Sequence, residues 1–107
     1  MKKESQFQAE LIKDLKRAFP GCVVLKNDAN YIQGFPDLLV LFEGKWAALE
    51  CKKQQEAHRQ PNQTYYVDKL NAMSYASFIC PENREEVMNE LQQTFRTDRS
   101  TRIFGSE

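Results

Sequence analysis

The feature that most constrains this chain is a pair of apolar runs set around one turn. Leu38-Leu39-Val40-Leu41-Phe42 leads into Glu43-Gly44 and then Lys45-Trp46-Ala47-Ala48-Leu49-Glu50-Cys51-Lys52. The pattern predicts strands at 37–42 and 45–52 joined as a hairpin. With a two-residue turn, Phe42 pairs with Lys45 and each later pair keeps the same index sum. Leu39 then faces Ala48, Leu38 faces Leu49, and Asp37 faces Glu50. A four-residue loop keeps this register, whereas a three-residue loop shifts it. Alternation puts Leu38, Val40, Phe42, Ala47, Leu49 and Cys51 on one face, and Leu39, Leu41, Trp46 and Ala48 on the other. Both faces are apolar, so the hairpin is expected at the centre of a sheet covered on both sides.

The polar end of the hairpin breaks that pattern. Opposed residues of an antiparallel pair have Cβ atoms about 4.5–5.5 Å apart, and like charges there repel. Either a cation lies between Asp37 and Glu50 or one of them holds a proton. Lys52, two residues past Glu50, projects to the same face. Paired oxygen donors beside an amine suit Mg²⁺, with Mn²⁺ as substitute, rather than zinc. The Cys51 carbonyl lies between the two functional side chains and is a further candidate ligand. The plain alternative is a cross-strand ion cluster on a solvated strand end.

Around the hairpin, Phe7, Leu11, Leu15 and Phe19 recur every fourth residue and predict a helix over 5–19, with Ser5 as N-cap and Pro20-Gly21 as its stop. Cys22–Leu25 reads as a strand. A turn-rich loop carries the chain through Asn27-Asp28-Ala29-Asn30 to Gly34-Phe35-Pro36. A second helix is expected from about Pro61 to Ala72, a strand over Tyr75–Cys80, and a third helix from Pro81 to about Phe95. The order αβββαβα implies an α/β (α+β) domain over 1–95, a sheet flanked by helices. Residues 96–107, with Arg96, Arg99 and Arg102, read as a loose, basic C-terminal tail.

Composition narrows the function classes. Fifteen Lys+Arg balance fifteen Asp+Glu, so the formal net charge is zero. A nucleic-acid partner must therefore be met by a local patch or a bound cation. Three cysteines, a single histidine and no CxxC make structural zinc or a disulfide scaffold poor readings. The longest apolar run, Leu38–Phe42, is far short of the roughly 20 residues of a membrane helix. The N-terminus leads to no apolar signal core, from which a cytoplasmic protein is expected.

Gly34-Phe35-Pro36-Asp37 followed by Glu50-Cys51-Lys52 resembles the PD-(D/E)XK nuclease motif. The pattern from about Gln6 to Leu91 is most similar to virus-type replication-repair nucleases and small phage and archaeal Holliday-junction resolvases. The resemblance implies a restriction-endonuclease-like αβββαβ core with a central mixed sheet. It implies Asp37 and Glu50 as metal ligands and Lys52 as the catalytic lysine. Glu10 would be the helix carboxylate that completes the metal site, and Gln63 the polar residue of a later motif. The reaction implied is Mg²⁺-dependent cleavage of phosphodiester bonds leaving 5′-phosphates.

Branched DNA is the expected substrate, because a small catalytic core has little surface for reading sequence and favours shape and backbone. Cutting two strands symmetrically calls for a homodimer, with Ile103-Phe104 one candidate contact. Lys13, Arg17, Gln54, His58 and Arg59 are candidate DNA contacts, although charge on the first helix ordinarily only solvates it. Gln63 fits equally as a helix cap. Rival readings are a flap, end or single-strand nuclease of the same superfamily, and a non-catalytic nucleic-acid-binding module.

Overall fold

A computed structural model describes residues 3–105, with side chains described as far as Arg96. Helix α1 (Glu4–Ala18) is followed by strands β1 (Val23–Lys26), β2 (Leu38–Phe42) and β3 (Lys45–Cys51). Helix α2 (Pro61–Met73) crosses over to β4 (Tyr75–Ile79), and a 3₁₀ turn at Pro81–Asn83 leads into α3 (Arg84–Gly105). The strands form one mixed sheet in the order β1-β2-β3-β4. The first three are antiparallel, and β4 lies parallel to β3. This is the expected α+β arrangement.

The hairpin has the register its turn dictates. Phe42 pairs with Lys45, Leu39 with Ala48 and Leu38 with Leu49. Glu43 and Gly44 both have positive φ, 50° and 82°, which is the backbone a tight two-residue hairpin turn requires. One sheet face packs Leu38, Val40, Phe42, Ala47, Leu49 and Cys51 against Phe7, Leu11, Leu15 and Phe19, the apolar stripe leading out of α1, and Val87, Leu91 and Phe95 of α3. The other face packs Ala48, Ala76 and Phe78 against Val67 and Leu70 of α2.

Coverage of that second face is incomplete, contrary to the expectation of a hairpin sealed on both sides. Helix α2 packs on β3 and β4. Val23, Leu25 and Leu41 on β1 and β2 therefore stay exposed at 49%, 44% and 37%. A single helix packed on β3 and β4 is about 10 Å across and does not also cover β1 and β2 at a strand spacing of about 4.8 Å.

Two boundaries also differ. Helix α1 starts at Glu4 rather than after a Ser5 cap, because the Gln6 side chain accepts the Lys3 backbone N–H at 3.0 Å. Helix α3 continues past Phe95 to Gly105, so residues 96–105 of the segment read as a loose tail extend the helix. The side chains of Arg99, Arg102, Ile103 and Phe104 lie outside the described residues. Among the described residues, no helix is long and apolar enough to cross a membrane.

Candidate metal and phosphate site

Asp37 sits where β2 begins, and local hydrogen bonding explains its placement. By the hairpin register, Pro36 stands opposite Cys51. Pro36 is fully buried and has no N–H to give, and its carbonyl accepts the Asn27 side-chain amide at 2.7 Å. The Asn27 backbone N–H caps the Asp37 carbonyl at 2.8 Å. The Cys51 N–H, left without a ladder partner, donates to Asp37 Oδ2 at 2.9 Å. The carboxylate thus completes the β2–β3 ladder and is held at the strand end.

Glu50 is next to it and is only 4% exposed, the one buried charged or polar side chain in the described core. Burial pushes its carboxyl up to about 8, and the charges of Asp37 and Glu4 add to the rise while Lys52 opposes it. Asp37 is also raised, first by burial, against the lowering pull of the Cys51 N–H and Lys52. The buried Glu50 does not match a solvated strand-end ion cluster.

Gln63 joins the acid to the amine. Its Nε2 donates to Glu50 Oε2 at 2.9 Å, and its Oε1 accepts from Lys52 Nζ at 2.9 Å. The same Oε1 accepts the Gln60 backbone N–H at 2.9 Å. Two donors on Oε1 settle the amide orientation, so the NH₂ faces Glu50. The two sequence readings of Gln63, site residue and helix cap, describe one side chain. Lys52 Nζ also donates to the His58 carbonyl at 2.9 Å, which, among the described residues, leaves one of its three protons uncommitted.

Glu10 is where the structure departs from the expected site. It is exposed on the flank of α1, lining a hollow of about 380 Å³ with Asp14, Lys53, Gln54 and Arg84. The α1 carboxylate whose charge acts on Asp37 and Glu50 is Glu4. At about 100° per residue, Glu4 lies in line with Phe7, Leu11 and Leu15, whereas Glu10 is turned well aside. The spacing 4, 7, 11, 15 is the sequence signal for Glu4. It is hidden when the helix is taken to begin after Ser5. Gln8, one turn on from Glu4, reaches the Cys51 thiol on the opposite face of β3.

The remaining candidates scatter. Arg59 lies over the Phe78 ring, 3.9 Å from its centroid. His58 is exposed and contributes its carbonyl to Lys52. Gln54 lines the Glu10 hollow. Lys13 and Arg17 are exposed toward the far end of α1, with Arg17 paired to Asp14 at 3.2 Å. Arg17 is roughly 20 Å along the helix axis from Glu4. They are not part of the Asp37 cluster.

Two carboxylates with hard oxygen donors and suppressed ionisation fit a divalent cation such as Mg²⁺. Among the described residues, no three His, Cys, Asp or Glu side chains converge to enclose a metal by themselves. The remaining ligands would be backbone carbonyl and water, as magnesium sites commonly have. No family model matches the chain, and no curated protein or solved structure matches it.

Proposed function

We propose that this chain is a Mg²⁺-dependent DNA endonuclease of PD-(D/E)XK type, acting on branched DNA as a homodimer. The supporting observation is that Gln63 joins Glu50 to Lys52 by hydrogen bonds at one end of the central hairpin, beside the Asp37 carboxylate held by the Cys51 N–H. Asp37 and Glu50 would hold the cation, joined by the Cys51 carbonyl. In strand geometry that carbonyl leaves β3 on the same side as the N–H given to Asp37. A divalent cation held there would supply Lewis-acid polarisation of a phosphate oxygen and would lower the pKa of its coordinated water.

The chain's own groups supply the rest. Lys52 presents its free N–H to the charge building on phosphorus, held in place by Gln63 and the His58 carbonyl. Gln63 holds the Glu50 carboxylate through its Nε2 donor. Glu4 adds negative charge at the rim, which strengthens cation binding and resists ionisation of Glu50 in its absence. Asp37 and Glu50 carry the ligand roles, with Glu4 in the outer position that the resemblance assigned to Glu10.

The experiment is cleavage of labelled four-way junction, flap and duplex DNA with Mg²⁺ or Mn²⁺. Cutting of the junction above the others, lost in Asp37→Ala and Lys52→Ala while binding persists, supports the proposal. Unchanged cutting in both variants, or none with either metal, overturns it. Light scattering of the purified chain tests the dimer.

A further inference from the structure

The loop between β1 and β2, residues 27–36, is a built element. Asn27 closes its ends through the Asp37 and Pro36 carbonyls. The Asp28 carboxylate accepts the Asn30 N–H at 2.8 Å, and the Asp28 carbonyl accepts the Tyr31 N–H at 3.1 Å. Compact loops of this kind are frequently functional. Tyr31 stands 85% exposed upon it. An aromatic ring held in solvent by an ordered turn is an unusual use of apolar area.

A hollow of about 370 Å³ lies beside the contact between this loop and the start of α2, lined by Asn30, Gln33, Gly34, Asn62 and Gln63 among others. That volume is within the range of small-molecule sites. No charged side chain lines it. The side-chain amides of Asn30, Gln33 and Asn62 make no hydrogen bond to any described residue. Gln63 belongs to both the hollow and the Asp37 cluster. A second hollow, about 450 Å³, borders the same loop and is lined by Tyr31, Ile32 and Phe35.

Neutral amides carry both donors and acceptors, as the edges of nucleobases do. A phosphate would be met by cations instead. Exposed aromatic rings are stacking platforms for unpaired bases. We propose that the hollow between the 27–36 loop and α2 takes an unpaired nucleobase of the strand being cut. Its amides read the base edge, and Tyr31 stacks on the neighbouring base. This rests on the nuclease reading above and adds a requirement for locally unpaired nucleotides beside the scissile phosphate.

Fluorescence anisotropy with labelled single-stranded oligodeoxynucleotides tests it, with Ca²⁺ in place of Mg²⁺ so that binding is read without cutting. One probe carries all its bases and a second carries a run of abasic sites. The intact chain should prefer the base-bearing strand at least about tenfold, the size of one stacked base. Tyr31→Ala, and separately Asn30→Ala, should reduce that preference toward unity while circular dichroism stays unchanged. Equal affinity of the intact chain for both probes overturns the inference, as does an undiminished preference in Tyr31→Ala. Lys52-dependent cleavage without any base preference overturns the inference and leaves the nuclease reading standing. A base preference without metal-dependent cleavage of any DNA supports the base site and overturns the nuclease reading.

Discussion

The Gln63 amide donates to Glu50 at 2.9 Å from the first turn of α2, so the crossover helix holds the buried acid of β3. Because the same side chain accepts from Lys52, acid and amine are positioned by one group. Gln63→Ala leaves a buried carboxyl without its donor, at about 1–3 kcal/mol. Cleavage should fall by one to two orders of magnitude with little change in binding (about 1.4–2.7 kcal/mol of transition-state stabilisation). Thermal melting and single-turnover kinetics check the two effects.

Glu50 makes the metal-free protein sensitive to pH. Its folded value near 8 lies above its ordinary value of 4.5. The folded state therefore binds more protons than the unfolded state between these values, and stability falls as pH rises from about 4.5 to 8. Glu50→Gln should flatten most of that slope, leaving the smaller part due to Asp37 and Glu4, and raise the melting temperature at pH 8 above that of the parent chain. At pH 4 the two should melt alike. Melting curves across this range provide the check.

The same proton competes with a cation. Mn²⁺ should bind more tightly as pH rises from 6 to 9, releasing about one proton per ion below pH 8. Calorimetry in buffers of different ionisation enthalpy reads that release directly. Glu50→Gln should abolish it.

Glu4 and Glu10 give a paired comparison. Glu4→Gln removes a charge that acts on both acids, so Mn²⁺ affinity should drop several-fold and the Glu50 titration should move downward. Glu10→Gln should leave both unchanged. Titration of each variant with Mn²⁺ separates them, and an effect confined to Glu10 would reverse the assignment.

Gly34 is the close contact on which the site's framework depends. It has φ +86°, and a Cβ there would meet Asn62 atoms, backbone included, at 2.5–2.8 Å. Gly34→Ala must displace the first turn of α2, next to Gln63. A loss of about 1–3 kcal/mol, with cleavage falling as in Gln63→Ala, is expected from melting and kinetic measurements.

The hairpin and the juxtaposition of Asp37 with Glu50 were legible in the chain, because both are local. A glycine-containing two-residue turn sets the pairing, and a period of two sets the faces, so counting residues was enough. The helix carboxylate was not legible in the same way. Glu4, Glu10 and Asp14 all lie on α1, and which of them reaches the strand end depends on where the helix starts and how it docks. The open face over Val23, Leu25 and Leu41 was hidden for a related reason, since apolar alternation does not say how far one covering helix extends. Nor could the primary structure show that Gln63, thirteen residues from Glu50, bridges it to Lys52. Turn chemistry and strand periodicity act over a few bonds and are written in order along the chain. The meeting of α1, α2 and the loop around Gly34 is decided by packing between distant segments, and only the folded molecule contains it.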